Sequence, residues 1–294
     1  MKESVSVIGT GLMGTAFTER LLAAGYPVYV YNRTRANADP LLQLGAQWSD
    51  RPLAQSARII FAVYTAEVVD HMLLDMQADL QTSHTIIDTA TSDPQQTAAL
   101  GSRLAGQGGA SEDGIAYLEA PFSGSSEQTR RGEAMTMVSG SVQVFEACRD
   151  LWDCLAAKTF YVGSWGNAAR MKLLTNLVLG LNRATLAEGL TFAQRVGLDK
   201  SAALNVLIAS AGYSRVMDTK GQKMLRGDFA PQARLSQHLK DIRLVLQEAD
   251  RGGAKLPLSS LHLELLEQAE KIGLGELDNS AILRLMESLA DQEP

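Results

Sequence analysis

Residues 7–14 read VIGTGLMG, from Val7 to Gly14, and the fold can be built outward from them. Gly9, Gly11 and Gly14 make G-x-G-x-x-G directly after the β-branched run Val5–Ile8. They open a helical pattern, Met13–Ala24, closed by Gly25. The three glycines serve different physical ends: the first a tight turn, the second close backbone approach to a pyrophosphate, the third close helix–strand packing. The helix N-terminus adds free N–H groups and a partial positive charge that suit phosphate. The stretch therefore predicts a dinucleotide site whose loop is Gly9, Thr10, Gly11, Leu12, Met13 and Gly14.

Alternation continues beyond the loop. Strands are expected at Val5–Ile8, Val28–Tyr31, Ile59–Val63, Thr85–Asp88, Tyr117–Ala120, Met135–Val138 and Phe160–Val162. Helical patterns such as Val142–Ala156 lie between most of them, which predicts a doubly wound, largely parallel α/β sheet. After Gly163 the character changes. Gly166–Val196 contains no proline and is apolar on more than one face, so a helix of roughly 45 Å is expected, buried by other helices. The patterns at Lys200–Ser210, Tyr213–Arg226, Ala233–Arg251, Leu258–Ile272 and Asn279–Leu289 are all helical. The expected division is 1–163, a nucleotide-binding domain, and 164–294, an all-helical domain. Gly106–Gly114 reads as a flexible surface loop.

The bulk numbers exclude several classes. The chain has 294 residues, 46% hydrophobic and 20% charged, with a net charge of −6. That is an ordinary globular composition, and it lacks the basic stripe of a nucleic-acid binder. The two cysteines, Cys148 and Cys154, support neither a disulfide framework nor a zinc site. The four histidines lack ligand spacing, so no metal is expected. Glu3 and the loop glycines interrupt the short apolar run after Lys2, and no 18-residue apolar segment occurs. The expectation is a cytoplasmic protein with no membrane partner.

The second strand reads on cofactor type. An NAD-preferring fold places a carboxylate at its end for the ribose 2′-hydroxyl. This chain has Asn32-Arg33-Thr34-Arg35, with no carboxylate before Asp39. Guanidinium and hydroxyl groups suit a 2′-phosphate, so Asn32, Arg33 and Thr34 are assigned to NADP(H).

GTGLMG, NRT, IDTATSDP (Ile87–Pro94), EAPFSGS (Glu119–Ser125), GNAARMKLLTN (Gly166–Asn176) and HLKDIRL (His238–Leu244) resemble, in order and spacing, the motifs of the β-hydroxyacid dehydrogenases. That family includes 3-hydroxyisobutyrate dehydrogenase and the glyoxylate/succinic semialdehyde reductases. The resemblance implies a Rossmann domain joined by a long helix to an all-helical domain, in agreement with the independent reading. It also implies Lys172 as the catalytic lysine and Asn176 as its partner. Ser123 and Gly124 correspond to the segment that holds the substrate carboxylate. Thr91 corresponds to a threonine near the nicotinamide, Val63-Tyr64 to an adenosine-side contact, and Lys240 to a lysine that closes over the cofactor. Asp241 receives no chemistry.

The lysine–asparagine pair also stands on its own physics. Residues four apart share a helix face, so an amine and an amide can address one small molecule. Hydride transfer between nicotinamide and an alcohol carbon needs a proton removed from, or delivered to, the oxygen. A positioned lysine does either, and its charge stabilises a developing alkoxide. Ser123-Gly124 follows a strand end, where open α/β sheets place ligands. Glu119, Phe122 and Ser125 depart from the family's Asp, Val and second Gly, and Phe122 has the bulk to shrink or reshape the pocket. Thr175 replaces one asparagine, and Val63-Tyr64 replaces Leu-Pro.

The resulting expectation is an NADP(H)-dependent oxidoreductase for a small 3-hydroxy acid or the matching semialdehyde or keto acid, assembled as a homodimer or homotetramer. Two rivals are an imine reductase, whose members resemble the chain but typically lack a lysine at position 172, and a non-catalytic NADP-binding scaffold. A short-chain dehydrogenase is excluded because no tyrosine precedes a lysine by four residues.

Overall fold

The computed structural model describes residues 2–106 and 114–291, so most of the expected Gly106–Gly114 loop lies outside the described residues. The chain divides into two compact units, Met1–Lys172 and Leu173–Pro294.

The first unit is an α/β sheet. Its strands are β1 (Val5–Ile8), β2 (Val28–Tyr31), β3 (Gln47–Trp48), β4 (Arg58–Phe61), β5 (Thr85–Asp88), β6 (Ala116–Glu119), β7 (Phe122–Ser123), β8 (Met135–Gly140) and β9 (Lys158–Tyr161). The order is β3-β2-β1-β4-β5-β6-β8-β7, with β9 beside β8. The first six strands are parallel and follow the 3-2-1-4-5-6 order of nucleotide-binding sheets. β8 then runs antiparallel to β6 and β7. β1 lies between β2 and β4, with Val7 opposite both Val30 and Ile60. The strand order therefore reverses beside β1, and the crevice beyond the ends of β1 and β4 is the ligand position such sheets favour.

Helices cover both faces of the sheet: α1 (Leu12–Ala23), α2 (Asp39–Gln43), α3 (Ala66–Asp75), α4 (Pro94–Ala105), α5 (Ser126–Arg130), α6 (Val142–Ala147) and α7 (Arg149–Leu155). Val5, Val7, Phe17, Leu21, Val28, Val30, Leu151 and Trp152 pack one core layer, and Ile8, Ile59, Phe61, Val69, Leu73, Ile86 and Tyr117 the other. The central strands are buried on both faces, which is why they read as continuous rather than alternating apolar runs.

Two local features differ from expectation. Val142–Ala156 is two helices broken at Cys148 (φ −99°, ψ 15°). There the Trp152 indole N–H donates to the Phe145 carbonyl at 2.9 Å, the carbonyl a continuous helix would offer to residue 149. The two-residue strands β3 and β7 carry no periodic signal of their own; pairing with β2 and β8 creates them.

The long helix α8 (Asn167–Arg195) begins in the first unit and continues into the second. The second unit adds α9 (Lys200–Ala209), α10 (Arg215–Arg226), α11 (Leu235–Arg251), α12 (Pro257–Lys271) and α13 (Ile282–Asp291). Its core is aliphatic: Leu186, Leu190, Leu204, Leu235, Leu239, Ile242, Leu266 and Ile282 are all nearly inaccessible. Each such side chain contributes about 1.5–3 kcal/mol by leaving water. The chain's own helices cover only part of α8. Met171, Leu174, Val178 and Phe192 stay exposed, the last at 64%, because its apolar positions outnumber those the chain's own core covers. No described helix is long and apolar enough to cross a membrane. Among the described residues no cluster of His, Cys, Asp and Glu could hold a metal ion.

Candidate active site

The glycine loop follows β1. Gly9 has φ +99°, and a Cβ there would lie 2.4 Å from the Ala62 carbonyl oxygen. At Gly14 a Cβ would meet the Gly9 carbonyl oxygen at 1.8 Å. These two glycines are required by the chain's own packing. Gly11 is different: a Cβ there meets nothing within 4 Å. Its small size matters only to something approaching from outside, which fits a phosphate against the backbone.

Helix α1 supports that fit. No side chain caps it and no acidic residue lies in its first turn. In contrast, Thr65, Asp93, Ser125 and Ser141 cap α3, α4, α5 and α6. The N-terminal N–H groups of α1 are thus left for an anion. The Thr10 hydroxyl is buried beside them without a hydrogen-bond partner among the described residues. Leu12 is exposed, and Met13 packs on the core.

Asn32 accepts from the Thr10 N–H at 3.1 Å and donates to the Thr34 carbonyl at 2.9 Å. Its amide ties the glycine loop to the turn after β2. The exposed residues of that turn are Arg33, Thr34 and Arg35, and the Arg35 guanidinium lies 5.2 Å from the Trp48 ring centroid. Val63, past β4, would touch a Cβ at Gly9, whereas Tyr64 is 51% exposed. Thr91 is buried in the segment after β5.

Ser123 ends β7, half-buried, and its hydroxyl has no hydrogen-bond partner among the described residues. Gly124 has φ +145°, a conformation that favours glycine, and a Cβ there would sit 3.0 Å from the Ala134 methyl. The Ser125 hydroxyl is occupied in a capping box with Gln128. Phe122 lies in the core. It is 5% exposed and packs on Phe17 of α1, ring centroids 4.7 Å apart, because alternation along β7 turns it into the core.

Lys172 and Asn176 lie one turn apart on α8. Lys172 is half-buried, and Asn176 is 5% exposed. The Asn176 Nδ2 donates to Asp241 Oδ2 at 2.7 Å, and Lys240 Nζ lies 3.5 Å from Asp241 Oδ1. Asp241 therefore fixes which way the Asn176 amide points, leaving Oδ1 as its acceptor atom. Sequence reasoning gave Asp241 no role. The available signal was a carboxylate among the buried positions of α11, beside His238, Ile242 and Val245.

One turn along, α8 and α11 approach at Gly180. A Cβ there would come within 2.3 Å of His238 Nε2 and 2.7 Å of His262 Cε1. The two imidazole centroids are 5.3 Å apart. Burial, helped by the nearby Arg183 charge, pushes His262 down to about 4, so it is neutral near pH 7. Gly180→Ala is expected to lower stability by about 1–3 kcal/mol through overpacking. The His238 ring must shift, and because it shares α11 with Asp241 a loss of about tenfold or more in kcat is expected. Thermal melts and kcat on one preparation check this; a variant unchanged in both would mean that the helices re-pack freely.

Residues 4–163 match the family model described as the NAD binding domain of 6-phosphogluconate dehydrogenase. Residues 166–286 match the one described as NAD-binding of NADP-dependent 3-hydroxyisobutyrate dehydrogenase. Glyoxylate/succinic semialdehyde reductase 1 of Arabidopsis thaliana is 28% identical over 95% of this chain and 96% of its own length. The cytokine-like nuclear factor N-PAC of Homo sapiens is 30% identical over 96% of this chain, which spans about half of that relative, 51%. Among solved structures, 3-hydroxyisobutyrate dehydrogenase from Salmonella typhimurium aligns over 97% of this chain and 100% of its own, with TM-score 0.87 and 24% identity, a likeness of fold. Psf3 in complex with NADP+ and 2-OPP aligns over 96% and 99%, with TM-score 0.86 and 28% identity. An imine reductase from Pseudomonas sp. aligns over 97% and 100% with a TM-score of only 0.64 and 22% identity. Two family models that together span nearly the whole chain, on a fold with the glycine loop and the lysine–asparagine helix in place, show that the chain belongs to the β-hydroxyacid dehydrogenase family.

Proposed function

We propose that the protein is an NADP(H)-dependent oxidoreductase that interconverts a small 3-hydroxy acid and the corresponding semialdehyde or keto acid, with Lys172 as general acid and base. The observation that carries this reading is the chemistry kept on one face of α8. Lys172 and Asn176 stand one turn apart, and Asp241 holds the Asn176 amide at 2.7 Å. A non-catalytic scaffold has no use for a buried carboxylate that orients an amide beside a lysine. The name of N-PAC keeps that rival open to test.

In the reductive direction the bound cofactor supplies the hydride. Lys172 delivers a proton from Nζ to the substrate oxygen as it gains charge, and its ammonium stabilises that charge until transfer is complete. Asn176, with Nδ2 committed to Asp241, offers Oδ1 to the lysine amine or a substrate hydroxyl. The Ser123 hydroxyl and the backbone at Gly124 hold the carboxylate. The Gly9–Gly14 loop and the α1 N-terminus would hold the pyrophosphate, Arg33 and Thr34 the 2′-phosphate, and Thr91 the nicotinamide end. Lys240 is assigned to the cofactor by the family resemblance alone. Phe192, Leu198, Val206 and Tyr213 of the second unit are all exposed, which supports a homodimer or homotetramer.

The function is tested by NADPH oxidation against glyoxylate, succinic semialdehyde, methylmalonate semialdehyde and a cyclic imine, with Lys172→Ala in parallel. Lysine-dependent turnover of an aldehyde acid is expected; imine reduction that survives the substitution would overturn the reading. Arg33 is exposed, with no ion pair among the described residues, so its charge is available to a ligand. Arg33→Ala is expected to weaken NADP+ by about tenfold to a hundredfold while leaving NAD+ within about twofold, since a charged hydrogen bond contributes about 1.5–3 kcal/mol. Equal losses for the two nucleotides would remove the 2′-phosphate role.

A further inference from the structure

We propose that Glu119 is a positioning residue for the Lys172 amine, acting through the N-terminus of α8. The inference rests on the reading of Lys172 as proton donor. Glu119 ends β6 and is 2% exposed. Its Oε1 accepts from the Gly166 N–H at 2.5 Å. Its Oε2 accepts from the Ala169 N–H at 3.3 Å and from the Ser139 hydroxyl at 2.8 Å. Ser139 Oγ in turn accepts from the Ala168 N–H at 3.4 Å. One carboxylate and one hydroxyl, both from the sheet, thus take the N–H groups at the start of the helix that bears Lys172.

This cap differs in kind from the others. The side chains that cap α3, α4, α5 and α6 each belong to the residue immediately before the helix. At α8 the acceptor stands 47 residues earlier in the chain, on a central strand. The segment before α8 is bolted to the same region: the Trp165 indole N–H donates to the Tyr117 carbonyl at 2.9 Å, and Gly140 N–H to the Gly163 carbonyl at 2.8 Å. The arrangement therefore sets where α8 starts relative to the sheet, as well as closing its free donors. The negative charge also complements the positive end of a 29-residue helix.

Lys172 is three residues past Ala169, so it stands on the same face one turn beyond the N–H groups Glu119 holds. A change in that turn reaches the amine directly. Among the described residues the Glu119 carboxylate bonds three donors, so a carboxylate suits the site and an amide does not. A glutamine must present its NH2 group to one of those donors, breaking at least one bond and pushing the turn away.

The test compares Glu119→Gln, Glu119→Asp and Ser139→Ala with Lys172→Ala. It reads kcat, KM, NADPH affinity, the solvent deuterium isotope effect on kcat, and melting temperature. Glu119→Gln is expected to bind NADPH within about twofold of wild type but to lose kcat by about 30- to 100-fold, the scale of an ångström-sized misplacement. Its solvent isotope effect should rise, because proton delivery from the displaced amine becomes slow. Glu119→Asp, which keeps the carboxylate, should recover part of the loss. A lower melting temperature with kcat and isotope effect unchanged would make Glu119 purely structural and overturn the proposal. If Glu119→Gln does not fold, kcat and isotope effect unchanged in Ser139→Ala, which removes the hydroxyl between Glu119 and the Ala168 N–H, overturn it equally. Should Lys172→Ala itself retain turnover, the reading of Lys172 fails instead, so the two failures are separable.

Discussion

Lys172→Ala is expected to lower kcat by about a thousandfold or more while NADPH affinity stays within about twofold. A positioned general acid contributes about 10²–10⁴, and the ammonium adds stabilisation of the developing oxyanion. Together these correspond to about 4 kcal/mol or more of barrier. The nucleotide should be spared, because the loop at Gly9–Gly14 is formed by β1, α1 and β4 and owes nothing to Lys172. Lys172→Arg is the sharper control. A guanidinium keeps the charge, but it holds its proton far more tightly than an amine and so is a poor acid. It should therefore bind the acid substrate yet turn over slowly. Stopped-flow NADPH oxidation under single-turnover conditions separates binding from chemistry. Activity within about threefold of wild type in either variant would remove Lys172 from the reaction.

Asp278→Ala is expected to destabilise the helical unit by about 3–5 kcal/mol, the usual cost of leaving one member of a buried ion pair alone. Asp278 is fully buried. It accepts from Lys220 Nζ at 2.9 Å on both oxygens and from the Ser280 hydroxyl at 2.7 Å. The backbone N–H groups of Gln232, Ala233 and Ser280 lie within 3.0–3.3 Å. Alanine removes all of these acceptors at once and strands the Lys220 ammonium, itself 8% exposed. Burial raises the Asp278 carboxyl, but the Lys220 charge and the surrounding donors outweigh it and hold it below its ordinary value of 3.8. A depressed folded-state value means that the stabilisation is complete above the unfolded value and is lost as pH falls through the folded one. The gap between wild type and Asp278→Ala in denaturant melts should therefore be full at pH 7 and shrink below about pH 4. A difference under about 1 kcal/mol at pH 7 would show that the network relaxes around the loss. Replacing both members with apolar residues, Lys220→Met with Asp278→Leu, should recover most of the stability, since it removes the stranded charge.

Much of this was legible in the chain because the signals are local. A glycine loop between a strand and a helix declares itself within eight residues, and β1, β2 and β5 lie where their β-branched runs end. That Lys172 and Asn176 share a face is readable from sequence because a period of 3.6 places residues four apart together whatever surrounds them. Other features depend on partners remote in sequence. The burial of Phe122 depends on Phe17, 105 residues earlier in the chain. The helix break at Cys148 depends on an indole reaching back to a carbonyl seven residues earlier.

The polar groups divide in the same way. Sequence periodicity establishes that α8 carries an amine and an amide one turn apart, and that the loop after β1 suits phosphate. It is silent on Asp241, 65 residues from the amide it orients, and on Glu119, 47 residues from the helix it caps. Nor does it explain Gly180, whose lack of a side chain makes room for the His238 ring. The reason is physical. A hydrogen bond or a van der Waals clash acts over about 3–4 Å and depends on which surfaces the packed core brings together. Residue type and spacing are properties of the chain, whereas the partner of a buried carboxylate exists only once the helices and the sheet have closed around it.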